Sequence, residues 1–176
     1  MKKRPLKKST LIVIATVVAL ALVVATLATL NGRDQLRAGV GIKDGSFRLL
    51  SSNETTMVTL ARLQKLPART VTVTLDTSTT TARQVSYTGL PLRELFTGLG
   101  VPFTRDNYCV ARGSDGFTTS YLADEVERDD IWLVYAQDGK ALPGRSQNGF
   151  GPFLIVTRGE QFSQRWCKYL QTLTVK

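Results

Sequence analysis

Apolar and hydroxyl-bearing positions alternate strictly over Thr70 to Thr77 (TVTVTLDT), placing Val71, Val73 and Leu75 on one face and threonines on the other. This period of two predicts a half-buried strand. Ala82 to Tyr87 supplies its partner, and Asp76 to Thr81 between them is too short for a helix, so an antiparallel hairpin is expected. Ile131 to Ala136 and Phe153 to Thr157 are continuous apolar runs, the pattern of strands covered on both faces. Asp138-Gly139 turns the chain back after the first. Phe47 to Leu50, Asn107 to Arg112 and Phe117 to Tyr121 predict further short strands, and Lys168 to Val175 a closing one. The turn chemistry of Gly113-Ser114-Asp115-Gly116 precedes Phe117.

Helical spacing is confined to short stretches. Leu92, Leu95, Phe96 and Leu99 fall at i, i+3, i+4 and i+7, with Pro91 suited to the first turn and Gly98 or Gly100 to the end. Val58 to Pro67 predicts a turn of helix with Thr59 as N-cap and Pro67 as its stop. Leu122 to Glu127 predicts a small helix. The fold class is therefore α+β, with β-rich mixed sheets and a few short helices.

The N-terminal pattern is of another kind. Leu11 to Leu30 holds twenty residues without a charge, the length of a transmembrane helix. Lys2, Lys3, Arg4, Lys7 and Lys8 precede it, and no acidic residue occurs before Asp34. The positive-inside rule then leaves the N-terminus cytoplasmic and the rest of the chain outside the cytoplasm. Ala19-Leu20-Ala21 offers a cleavable-signal alternative, but cleavage there would leave nine apolar residues on the mature end. The expected organisation is a basic tail (1–10), a single-pass helix or uncleaved signal anchor (11–30), a polar linker (31–45) and one extracytoplasmic domain (46–176).

The net charge of +9 changes meaning once that tail is set apart, because the remaining 18 basic residues exceed the 14 acidic ones by only four. No basic stripe interleaved with aromatics follows, so nucleic acid is not an expected partner. The chain has no histidine, which excludes Ser-His-Asp, Cys-His and His-metal chemistry. Cys109 and Cys167 are too few for a structural zinc site. Outside the cytoplasm two readings stand for them, a disulfide or two separate thiols. The carboxylates from Asp124 to Asp130 are expected to form a solvated acidic face.

Five signatures in order give the chain from about Thr70 to Val175 a family likeness. They are Tyr87-Thr88-Gly89-Leu90-Pro91-Leu92, Asp115-Gly116 with a following aromatic, Leu133-Val134-Tyr135-Ala136-Gln137-Asp138-Gly139 with Leu142-Pro143, Gly151-Pro152-Phe153-Leu154-Ile155-Val156, and Ser163-Gln164-Arg165-Trp166. Together they resemble the molybdopterin-binding domain of the sulfite oxidase family. The resemblance implies that family's fold, molybdopterin as the cofactor, and Ser163 and Arg165 as contacts to its phosphate. Arg145, in the glycine-rich loop, is a further candidate for an anionic small molecule. Asp115 beside it is read first as a turn-forming residue and second as a contact.

The departures from the family pattern concern the metal. The molybdenum-ligating cysteine would fall between Thr70 and Gln84, where no cysteine occurs. The family's loop histidine is absent, with Asn148 nearby, its arginine after the proline is replaced in the region of Leu154, and Phe117 stands where a tyrosine is usual. No catalytic or metal-ligating residue is assigned. The leading expectation is a membrane-anchored accessory or ligand-binding module. The alternatives are a molybdopterin-dependent oxidoreductase or its electron-transfer partner, and an envelope module that recruits another membrane protein.

Overall fold

The computed structural model describes residues 14, 16–27, 45–52, 54–77, 80–160 and 162–176. The chain divides into two units, Met1–Val40 and Gly41–Lys176. In the first, residues 16–27 form helix α1, on which Val17, Leu20, Leu22 and Leu27 are exposed. No helix among the described residues is long and apolar enough to cross a membrane. The rest of the span expected at 11–30, the basic tail and linker residues 31–44 lie outside the described residues, Ile14 aside.

The second unit is built from two five-stranded sheets, the first mixed and the second antiparallel throughout, where the sequence predicts mixed sheets. The first contains β1 (Ser46–Ser51), β2 (Glu54–Thr59), β5 (Tyr108–Gly113), β6 (Thr118–Leu122) and β10 (Leu170–Val175), in the order β2-β1-β10-β5-β6. The alternating C-terminal strand is central here, parallel to β1 and antiparallel to β5. The second sheet has β3 (Arg69–Thr77), β4 (Thr80–Pro91), β7 (Ile131–Gln137) and β8 (Lys140–Ala141) in order, with β9 (Leu154–Thr157) also on β7. The expected hairpin is present as the antiparallel β3–β4 pair, with Val71, Val73 and Leu75 buried.

Two cores explain the two kinds of strand pattern. Between the sheets, Phe47, Leu49, Leu90, Leu133, Phe153, Ile155 and Leu173 form the larger core, where Phe47 and Phe153 meet edge to face at 5.2 Å. On the opposite face of the second sheet, Val71, Val73, Tyr87, Trp132, Val134, Leu154 and Val156 pack with Leu142 and Trp166. Strands β7 and β9 serve both cores, so apolar side chains are required on both faces and their sequences run without alternation.

Short helices close the larger core. Helix α2 (Leu60–Leu63) starts where Thr59 Oγ1 accepts from the Arg62 amide. Helix α3 (Leu92–Leu99) buries Leu92, Leu95 and Phe96, and ends at Gly100, whose φ of 71° suits a residue without Cβ. Helix α4 (Ala123–Glu127) has a Glu125 carboxylate accepting from the Leu122 amide at 2.8 Å. Strand β2 is the element that apolar periodicity misses, because it lies at a sheet edge and buries only Val58.

Register in the second sheet turns on Gly89. The β4–β7 pairing shifts between Thr88 and Gly89, and a Cβ on Gly89 would lie 2.1 Å from the Leu133 carbonyl oxygen. A bulge that brings two backbones this close admits only glycine. Gly89→Ala is therefore expected to lower unfolding free energy by about 2–3 kcal/mol. Gly144→Ala, with no atom within 4 Å of the added Cβ, is the control and should change it by less than about 0.5 kcal/mol. Urea titration of both variants checks this, and equal stabilities would refute the close approach.

Candidate functional site

The segment after β9 carries two of the sequence-predicted site residues on one 3-10 turn, Ser163–Arg165. Ser163 is buried, and its hydroxyl accepts from the Asp76 amide at 3.1 Å and donates to the Thr74 carbonyl at 3.4 Å. Both partners lie on β3, the outer strand of the second sheet, so Ser163 satisfies backbone groups that a neighbouring strand would otherwise take. Its hydroxyl is committed to the fold.

Arg165 reaches in another direction. Its guanidinium donates through Nη1 to Glu125 at 2.6 Å and Glu160 at 2.7 Å, and through Nη2 to Glu125 at 3.0 Å and the Ser120 carbonyl at 2.9 Å. It also lies 5.2 Å above the Tyr121 ring, whose hydroxyl donates to the Arg165 carbonyl at 2.7 Å. Ser120 and Tyr121 belong to β6, the outer strand of the first sheet. The Ser163–Arg165 turn thus joins the outer strands of both sheets. One cation between two carboxylates is a negatively charged cluster, and the donors that the family resemblance offers to a phosphate are occupied by this chain's own oxygens.

The electrostatics follow from that geometry. The hydrogen bond from Arg165 holds the Glu125 carboxyl below its usual range, with the Leu122 amide adding to the effect against burial. Glu160 is steadied by the Thr157 hydroxyl at 2.8 Å. Glu125 and Glu160 are the partners of Arg165 that sequence reasoning missed. Glu125 reads as part of the acidic face at 124–130, and nothing local marks a partner forty positions away. Three more carboxylates of that face are also paired, since Arg93 grips Asp129 at 3.0 and 2.9 Å, and Arg128 and Arg105 meet Asp130 and Glu127.

Arg145 and Asp115 lie elsewhere in the domain. Arg145 opens the 3-10 turn Arg145–Gln147, is exposed, and stands 5.7 Å over the Tyr169 ring. Asp115 accepts from the Phe117 amide at 3.1 Å, the turn-forming role of an Asx residue. The glycine-rich loop is closed upon itself. Amides of Gln147 and Gly149 donate to the Gly144 carbonyl, that of Asn148 to Arg145, and that of Gly151 to Pro143. These amides do not form an open cradle for an anion. Ser163 and Arg165 therefore share one turn and bond to the chain itself, while Arg145 and Asp115 lie on other segments, with Arg145 facing solvent.

The thiols do not provide a metal site either. Cys109 and Cys167 are free, fully buried in the inter-sheet core, and do not form the disulfide weighed from the sequence. Burial pushes each thiol up to about 12, with Glu125 adding to the effect at Cys109 and Asp115 at Cys167. A metal-ligating cysteine must instead be a thiolate. Leu154, in the region of the family's arginine, is buried in the second core, whereas Asn148 and Phe117 are exposed. The residues present do not fit a molybdenum centre bound through protein sulfur.

Comparison with known proteins places this geometry. Residues 46–176 match the family model described as oxidoreductase molybdopterin binding domain. Among solved structures, the chain is similar to the sulfane dehydrogenase SoxCD from Paracoccus pantotrophus, with a TM-score of 0.61 and 18% identity. That match covers 77% of this chain and 39% of the other, so the likeness is one of fold and spans well under half of the larger protein. No curated protein sequence matches. The chain belongs to the oxidoreductase molybdopterin binding domain family.

The Glu125–Arg165 pair generates a prediction with a sign. A carboxyl held low by folding adds stability that is present above its unfolded value of about 4.3 and is lost as pH falls through the lower folded value. Glu125→Gln should cost about 1–2 kcal/mol at neutral pH, as expected for a partly exposed charge-assisted pair. The gap to wild type should narrow as pH drops below about 4. Urea titrations across acid pH measure it, and a gap independent of pH would contradict the ion pair.

Proposed function

We propose that this family member is a membrane-anchored module, held outside the cytoplasm, that binds a ligand or partner without carrying out molybdenum chemistry. The observation that carries the reading is the state of the sulfur. No cysteine occurs between Thr70 and Gln84, and the two thiols of the chain are buried and pushed up to about 12. The occupied guanidinium of Arg165 supports the same reading, since two carboxylates stand where the resemblance would put an anion. Molybdopterin enters by family membership alone, and no step is assigned to it.

The anchor is inferred from the uncharged run Leu11 to Leu30 behind five cations. The exposed apolar side chains along α1 are consistent with lipid contact. The full chain should stay with the membrane pellet through an alkaline carbonate wash and be released by detergent. Release by carbonate alone would remove the anchor from the account.

The non-catalytic role is tested on protein purified from a host that makes the cofactor. Metal analysis by mass spectrometry should find molybdenum only at background. About one molybdenum per chain would overturn the proposal, because the metal would then be held without a protein thiolate.

A further inference from the structure

The outer strands of the two sheets are not treated alike. The free side of β3 is met by the Ser163 hydroxyl and that of β6 by the Arg165 guanidinium. Strand β2 closes the other end of the first sheet without such a cap. Because the Leu60 amide donates to the Gly45 carbonyl at 3.2 Å, the hydrogen-bonded pairs of the β1–β2 ladder are Phe47↔Val58, Leu49↔Thr56 and Ser51↔Glu54. The amides and carbonyls of Thr55 and Met57 therefore point away from β1, and no hydrogen bond among the described residues reaches them from that side. We propose that β2 is the pairing edge of a homodimer, joining antiparallel to β2 of a second copy about a two-fold axis at Met57.

The strand carries none of the devices that keep an edge from pairing. It has no proline, lysine or bulge, and its register with β1 is unbroken. An axis at Met57 sets Met57 against Met57 and Thr55 against Thr59, so that one continuous sheet runs through both copies. Met57, 41% exposed, gains an apolar neighbour across the axis. Charge selects a second copy as the occupant. The same register sets Glu54 opposite Leu60 of the other copy, the first residue of the helix that carries Arg62. Both Glu54 and Arg62 are exposed, and neither has an ion-pair partner among the described residues. The opposite charges flank the strand at its two ends, the arrangement that its own antiparallel copy complements twice.

Cysteine crosslinking of the full chain in detergent tests the register. Both native thiols are fully buried, so a cysteine placed on β2 is the accessible one. In Met57→Cys the two new thiols face each other across the axis, where a hydrogen-bonded pair has a Cα spacing of about 5.5 Å, within disulfide range. In Thr55→Cys they stand four residues apart, about 13 Å along the strands. Oxidation with copper phenanthroline should link Met57→Cys into dimers and give at least about fivefold less dimer with Thr55→Cys. Adding Glu54→Arg to Met57→Cys should lower the yield, and adding Arg62→Glu to that pair should restore it. All four positions are exposed, and a thermal melt of each variant confirms that it folds. Equal crosslinking at positions 55 and 57, no dimer from Met57→Cys, or a charge reversal that Arg62→Glu fails to rescue would overturn the pairing. Molybdenum in the protein would overturn the non-catalytic reading and leave this result standing.

Discussion

The Ser163–Arg165 turn is the constraint on which the arrangement of the two sheets most depends. An outer strand presents backbone amides and carbonyls that must find partners or water. Ser163 supplies partners to β3 at the edge of one sheet, and Arg165 supplies one to β6 at the edge of the other. Trp166, the next residue, fills the second core against Tyr87 at 5.9 Å, edge to face. Three successive functions fall within four residues, and Glu125 and Glu160 hold the charged end in place.

That economy has a functional consequence. A guanidinium that contacts an external phosphate must have donors to spare, whereas this one has its donors divided between two carboxylates and a carbonyl. Displacing the carboxylates would leave charges partly buried without partners, which is more costly than forming the pair in the open. The same segment that ties the domain to its family thus performs structural work here. Arg145 and Lys168 lie instead over the Tyr169 and Phe150 rings.

Much of the fold was legible in the sequence wherever one residue's environment is set by its own strand. Val71, Val73 and Leu75 declared the face of β3, and the unbroken apolar runs of β7 and β9 declared two covered faces, which the two cores explain. Thr59 and Gly100 announced helix ends through local backbone chemistry. What depended on distant partners was not legible. Cys109 and Cys167 carry no mark that distinguishes a disulfide from two buried thiols. Arg165 read as a ligand contact because Glu125 is forty positions away, and Arg145 read as an anion contact because nothing in Pro143 to Gly151 shows that the loop's amides bond to its own carbonyls.

The central claim is that the turn acts as one clip across both sheet edges, and amide hydrogen exchange at Asp76 tests it most directly. This amide sits on the free edge of β3 and donates to the Ser163 hydroxyl, while Arg165 touches only the other sheet and the two carboxylates. Exchange at Asp76 should be slow in the wild type and should accelerate in Arg165→Gln, although that residue does not contact it. Fast exchange in the wild type, or slow exchange that Arg165→Gln leaves unchanged, would contradict a clip joining the two edges.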